Sequence, residues 1–128
     1  VATLQAQAAD PEIFIPEENQ PSTIPLSLES LLRASIGVTV DHDGNIYVSD
    51  TNTHVIRKYS AHGDSLTVFG RETKDGHSNG SPVDVRFAGP EALATDRDGH
   101  ILVVDGSRSN GAITPGSFFI RRINTNTL

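Results

Sequence analysis

Cysteine is absent from this 128-residue sequence, and so is methionine. Without cysteine there is no disulfide, no thiolate metal site and no thiol nucleophile, while the redox compartment stays open. Without methionine the sequence does not start at an initiator, as expected of a processed protein or a piece of something longer. Long apolar runs are missing too. None approaches the roughly 18–20 residues needed to cross a bilayer, so no membrane span is expected. Apolar residues make up 36% of the chain, low for a self-sufficient domain, so the core should be thin. Clustered basic residues are also lacking: residues 1–34 hold five acids against Arg33, and residues 35–128 hold eleven acids against nine bases, interspersed. Displacing counterions from nucleic acid takes a concentrated basic face, so nucleic acid is not an expected partner.

What is present is a repeat. Asp41-His42-Asp43-Gly44-Asn45-Ile46-Tyr47-Val48-Ser49-Asp50 returns 55 residues later as Asp96-Arg97-Asp98-Gly99-His100-Ile101-Leu102-Val103-Val104-Asp105. Each copy reads as an Asp-x-Asp-Gly turn feeding a run of β-branched and apolar residues closed by Asp, the pattern of a hairpin and an inner strand.

Around the first copy the pattern predicts strands at Ile36 to Val40, Ile46 to Ser49, Val55 to Tyr59 and Leu66 to Phe69, with turns between them. Four such strands make one antiparallel meander. The first two are nearly continuous apolar runs, which predicts that both of their faces are covered. Residues 70–84 form a long polar loop. The second copy predicts strands at Glu91 to Thr95, Ile101 to Val104 and Phe119 to Ile123, with a Gly/Ser-rich insertion around Ser107 to Ser117 and no fourth strand before Leu128. Residues 1–34 differ: they are acidic and carry Pro11, Pro16, Pro21 and Pro25. Proline removes backbone donors and is tolerated on edge strands, so 12–15 and 23–28 are candidates for short edge strands. Residues 27–33 are a candidate for one or two helical turns capped by Ser27. Ala6-Gln7-Ala8, followed by Ala9-Asp10, has the small-x-small form of an export cleavage site. It leans the reading toward an exported, periplasmic or extracellular protein, although the segments that should precede such a site are not in the sequence.

Gly37-Val38-Thr39-Val40-Asp41, with Asp43-Gly44-Asn45-Ile46-Tyr47-Val48-Ser49-Asp50-Thr51, His54 and Ile56-Arg57-Lys58-Tyr59, resembles an NHL repeat, the blade unit of a family of β-propellers. The passage from Gly70 through Asp75-Gly76 to Val85-Arg86-Phe87 and Pro90 is similar to the linker between consecutive NHL blades. The resemblance covers about Leu32 to Ile123. It departs at Ser35, which stands where Pro90 stands in the second copy, and at Gly106 to Gly116. It implies an all-β fold: a partial propeller of two antiparallel four-stranded meander blades (35–70 and 90–128, the second incomplete) behind an irregular Pro-rich arm (1–34). Propellers need about four to eight blades, so the chain is expected to be a segment of a larger propeller or a subunit that assembles. The missing fourth strand of the second blade is expected to come from residues 12–15 or 23–28, within the chain or from a neighbour.

Three functions follow from the resemblance. The first is a protein-interaction or scaffold module, with the loops 70–84 and 105–117 as contact surfaces. Its candidate binding residues are Arg71, Lys74, Asp75, His77, Arg108 and Asn110, and its partner is a protein or further copies of itself. The second is part of a six-bladed enzyme of lactonase or lyase type, with a metal in the central channel, for which two blades cannot show the convergent ligands. The third, RNA binding, is disfavoured by the near-neutral repeats. Beyond the resemblance, Asp41/Asp43 and Asp96/Asp98 share the alternating carboxylates of calcium loops. They lack the distal Glu, and a structural Asx-turn is the better reading. Asp50 and Asp105 are expected to fasten the turns that follow them. The five His residues lie in turns or loops without zinc spacing, and His54 suits a packing or hydrogen-bonding role. Arg57, Lys58, Arg121 and Arg122 recur at one strand position and read as salt-bridged surface. No cofactor is implied, and no catalytic residue is assigned.

Overall fold

The computed structural model describes residues 21–25, 35–109 and 112–127. It is all-β, with two antiparallel sheets and no α-helix among the described residues. The first sheet is a meander of β1 (Ser35–Val40), β2 (Ile46–Asp50), β3 (Val55–Tyr59) and β4 (Ser65–Phe69), in that spatial order. The second holds β5 (Pro90–Thr95), β6 (Ile101–Ser109) and β7 (Ala112–Ile123).

The sequence repeat is a repeat of geometry. Asp41 Oδ1 accepts the backbone N–H groups of Asp43 and Asn45, both at 2.9 Å. Asp96 Oδ1 accepts those of Asp98 and His100 at 2.9 and 3.0 Å. Gly44 and Gly99 complete the two turns at φ +85° and +88°, a region in which a Cβ would be strained. The pairing of β1 with β2 is irregular between Ser35 and Val38, and that of β5 with β6 between Pro90 and Leu93, again 55 residues apart.

Three expectations are corrected. The insertion at 107–117 is not a loop, because β6 and β7 run on as one hairpin, with Arg108 opposite Ile113 and Ser109 opposite Ala112. Added residues were shared between two facing strands, so the ladder lengthened instead of breaking. The second sheet has three strands among the described residues, in keeping with an incomplete second copy. Residues 23–25 do not complete it. They form no strand, and Ile24 and Pro25 lie against Gly63, where β3 turns into β4 of the first sheet. Residues 12–15 and 26–33 lie outside the described residues. Finally, β1 is not covered on both faces: Val38 and Val40 are exposed, whereas β2 is buried from Tyr47 to Asp50.

The sheets pack face to face. Thr39 and Thr95 hydrogen-bond through their hydroxyls at 2.8 Å, and Ser49 Oγ donates to Glu91 O at 2.5 Å while accepting from Gly37 N at 2.8 Å. Gly37 permits this approach, since a Cβ there would fall 2.3 Å from Glu91 O. Outward from β1 and β5 the space is filled by Tyr47, Ile56, Phe69, Val85, Phe87, Ile101 and Val103, with Leu93 and Ile123 packed alongside. Tyr47 and Phe69 stack at 6.2 Å between ring centroids. The core is therefore a single layer between two sheets, as the low apolar content predicts.

Candidate functional site

Asp105 closes the apolar run of β6 and is completely buried. It does not fasten a following turn, because β6 continues past it. Its Oδ1 instead accepts the N–H groups of Ala88 and Gly89, both at 2.9 Å, and so anchors the segment that leads into β5. Its Oδ2 accepts from Arg121 Nη1 on β7 at 2.9 Å. Breaking a buried charge is expensive, so this pairing fixes where the guanidinium sits.

Arg121 then spends its remaining donors on the long loop. Nη1 also reaches Arg86 O at 2.5 Å, and Nη2 donates to Ser78 O at 2.9 Å and to Asn79 Oδ1 at 2.8 Å. The guanidinium lies 4.7 Å from the centre of the Phe87 ring, within cation–π range. Arg57 is buried at 6% exposure and the Arg121 side chain is 12% exposed, so two of the four repeated basic residues are turned inward, which corrects the expectation of salt-bridged surface. Strand alternation explains this. Arg57 and Arg121 lie on the opposite strand face from Lys58 and Arg122. Lys58 lies 5.6 Å from the Tyr47 ring centre, and exposed Arg122 pairs with Asp96 at 3.3 Å. Arg57 pairs with Glu72.

Held in this way, residues 79–82, Val85 and Phe87 form one wall of a cleft of about 510 Å³, together with Phe69 of β4. The other wall is Ile120, Arg121, Arg122 and Ile123, the last four residues of β7, with Asn124 just beyond it. Side chains of a strand alternate between faces, so a run of four neighbours shares its backbone edge and not one face. The cleft therefore runs along the outer edge of β7, which pairs with no further strand among the described residues.

Of the expected binding residues, the structure brings His77 alone to this region. Its ring meets Phe119 edge-on at 5.0 Å, and Nδ1 lies 3.6 Å from Asp105 Oδ2. Arg71, Lys74 and Asp75 are exposed earlier in the loop and line no part of the cleft; Lys74 N donates to Arg71 O at 3.1 Å across a tight turn. Arg108 lies in β6 opposite Ile113, and Asn110 lies outside the described residues. Sequence reasoning missed Ser78, Asn79 and the β7 edge. The available signal was the recurrence of Arg57 and Arg121, each directly after an Ile within a strand. His54 does hydrogen-bond, through Nδ1 to Ala88 O at 2.7 Å.

The Asp-x-Asp-Gly carboxylates serve the fold. Besides two backbone donors, Asp41 Oδ2 accepts from Asn45 Nδ2 and from Tyr47 Oη, each at 3.1 Å. Among the described residues no three His, Asp or Glu side chains are grouped as a metal would require. Burial works to raise the Asp41 pKa, but the hydrogen bonds from Asn45, Tyr47 and Asp43 outweigh it and hold the group below 3.8. A depressed folded value means that the stability contributed by Asp41 is present above its unfolded value and is lost as pH falls through the folded one. Asp41→Asn is expected to lower unfolding free energy by about 1–3 kcal/mol near neutral pH, since hydrogen bonds to a charged group are at stake. Urea unfolding of both proteins from neutral pH down through the acid range checks this: the gap should close below about pH 4. A gap independent of pH would assign the loss to shape alone.

No match is found among family models or curated proteins. Among solved structures, the chain is similar to a crystal structure, at 1.35 Å resolution, of a protein of unknown function from Bacteroides caccae, with a TM-score of 0.40 and 20% identity. The likeness covers 73% of this chain and 30% of that one, so the chain spans under a third of that protein's length.

Proposed function

We propose that the chain is a protein-interaction or scaffold module built from NHL-like propeller blades, and that it takes an extended peptide as an added strand along β7. The blade reading is supported by the repeated turn, the repeated irregularity between the first two strands of each sheet, and the face-to-face packing of the sheets. The strand-acceptor reading is carried by one observation: the cleft follows Ile120 to Ile123 along an edge of β7 that pairs with no further strand among the described residues. An edge offers main-chain donors and acceptors in register, and the apolar wall of Phe69, Val85 and Phe87 selects the side chains that enter.

The first sheet shows what such a strand looks like. There β4, Ser65-Leu66-Thr67-Val68-Phe69, pairs antiparallel with β3, with Phe69 opposite Ile56 and Val68 opposite Arg57. Ile120 and Arg121 are the counterparts of Ile56 and Arg57. A synthetic peptide Ser-Leu-Thr-Val-Phe, titrated into the full chain and followed by amide NMR shifts, should move the signals of Ile120 to Asn124 and leave Asp41 to Asn45 unmoved. Main-chain pairing over five residues supports weak, micromolar to millimolar binding. Absence of shifts along β7 at millimolar peptide would sink the reading.

A further inference from the structure

The loop that Arg121 holds contains a pair of residues with a reaction of their own. Of the asparagines in the chain, only Asn79 and Asn110 precede a glycine, and Asn110 lies outside the described residues. An asparagine side-chain carbonyl is open to attack by the backbone nitrogen of the next residue, since the two are held close and ring closure gives a five-membered product. Glycine in the next position leaves that nitrogen unshielded. Gly80 is there for a structural reason: its φ is +153°, and a Cβ would stand 3.0 Å from Asp84 Cβ.

Three features of the fold favour the reaction at Asn79. Asn79 and Gly80 are both exposed, so water reaches them. The backbone is fixed on either side, because Ser78 O accepts from Arg86 N at 3.0 Å and from Arg121 Nη2 at 2.9 Å, while Ser81 O accepts from Asp84 N and Val85 N at 3.0 and 2.9 Å. Between these two points the Gly80 N–H has no hydrogen-bond partner among the described residues, which leaves the nitrogen uncommitted. Lastly, Arg121 Nη2 donates to Asn79 Oδ1 at 2.8 Å. Attack on Cγ places negative charge on that oxygen, and the guanidinium, held by buried Asp105, already stands where the charge develops.

We infer that Asn79 is a self-modification site, at which the Asn79–Gly80 pair deamidates with the assistance of Arg121. The Gly80 nitrogen forms a bond to Asn79 Cγ, the Cγ–Nδ2 bond breaks, and the Gly80 amide proton passes through solvent to the departing nitrogen. Ammonia leaves a succinimide. Water then opens the ring at either carbonyl, and an aspartyl or isoaspartyl residue replaces the amide. Both products add one negative charge beside Arg121, where a charge-assisted hydrogen bond stabilises it. The isoaspartyl product also runs the main chain through Cγ, which lengthens the loop by one backbone atom and shifts residues 80–82 in the wall of the cleft. The cleft therefore has an amide form in new chains and an acidic form in old ones. This inference does not depend on peptide capture at the β7 edge, since it is read on the chain without a ligand.

The test follows the Asn79 amide over time in neutral buffer by proteolytic peptide mapping and mass spectrometry, which separates it from Asn110. The reference is the free peptide His-Ser-Asn-Gly-Ser-Pro, the sequence of residues 77–82. Asn79 should be lost at least ~3-fold faster in the folded chain than in the peptide, a modest gain because water screens an exposed guanidinium. Arg121→Lys keeps a positive charge but lacks the planar fork that bridges Asp105 and Asn79, so its rate should fall to that of the peptide. The sign of this change is decisive: a loop merely loosened by the substitution would deamidate faster, not more slowly. Circular dichroism matching the parent confirms that the variant is folded, and the comparison of parent with peptide stands without it. A folded chain that loses the amide no faster than the peptide would overturn the inference, as would a folded Arg121→Lys variant that reacts as fast as the parent or faster.

Discussion

Replacing Arg121 with Ala is expected to cost about 3–5 kcal/mol of unfolding free energy, the range for stranding one partner of a buried ion pair. Asp105 is fully buried and would keep two backbone N–H donors but lose its countercharge. Because a domain of this size holds only about 5–15 kcal/mol in total, the variant should be marginally folded at best. Chemical denaturation of the two proteins measures the loss. A second readout separates this account from general damage. Arg121 also holds Ser78 and Asn79, so limited proteolysis within residues 76–82 should accelerate before global unfolding does. The double variant Asp105→Asn with Arg121→Met should be more stable than Arg121→Ala alone, since it removes both charges and keeps the apolar stem over Phe87. A loss under about 1 kcal/mol for Arg121→Ala would show that the pair is not buried as described.

Gly37→Ala should be nearly as damaging, for a different reason. The added Cβ falls 2.3 Å from Glu91 O, 3.0 Å from Leu93 N and 3.0 Å from Ser49 Oγ. Two of the three are backbone atoms, which cannot swing aside, so the sheets must part along β1 and β5. Overpacking of this kind costs about 1–3 kcal/mol, and the strained Ser49 bridge adds about 1 kcal/mol. Ser49→Ala isolates the second part, since it removes the bridge without adding atoms. The expected order of midpoints in thermal unfolding is parent, then Ser49→Ala, then Gly37→Ala. If Gly37→Ala matched the parent, the sheets would not be in backbone contact at this point.

Both effects arise where a local pattern says little. The turns, by contrast, were open to reading from single residues. Asp41 and Asp96 carry the acceptor, Gly44 and Gly99 carry the positive φ, and the β-branched runs that follow form strands at the expected places. Such features depend on neighbours within about five residues, so sequence order contains them. The hairpin at 107–117 misled because Gly and Ser there suggest a loop, while pairing across the two halves favours extending the ladder. Arg121 misled because its recurrence beside Arg122 resembles a charged surface, and only the position of Asp105, 16 residues away, makes it internal.

By itself the sequence determined the all-β character, the two repeats and their phase, and the chemistry of each tight turn, because those follow from local sterics and from period-two burial. The tertiary structure decided what the repeats do to one another. It set which face of each strand meets the other sheet, which carboxylate and guanidinium are shut away from water, and that loop 70–84 is tied to β7 to leave a cleft along a strand edge. These depend on contacts between residues that are 16 to 56 positions apart. No local pattern encodes them, because the Ile at position 56 is buried while its counterpart at position 120 is 76% exposed.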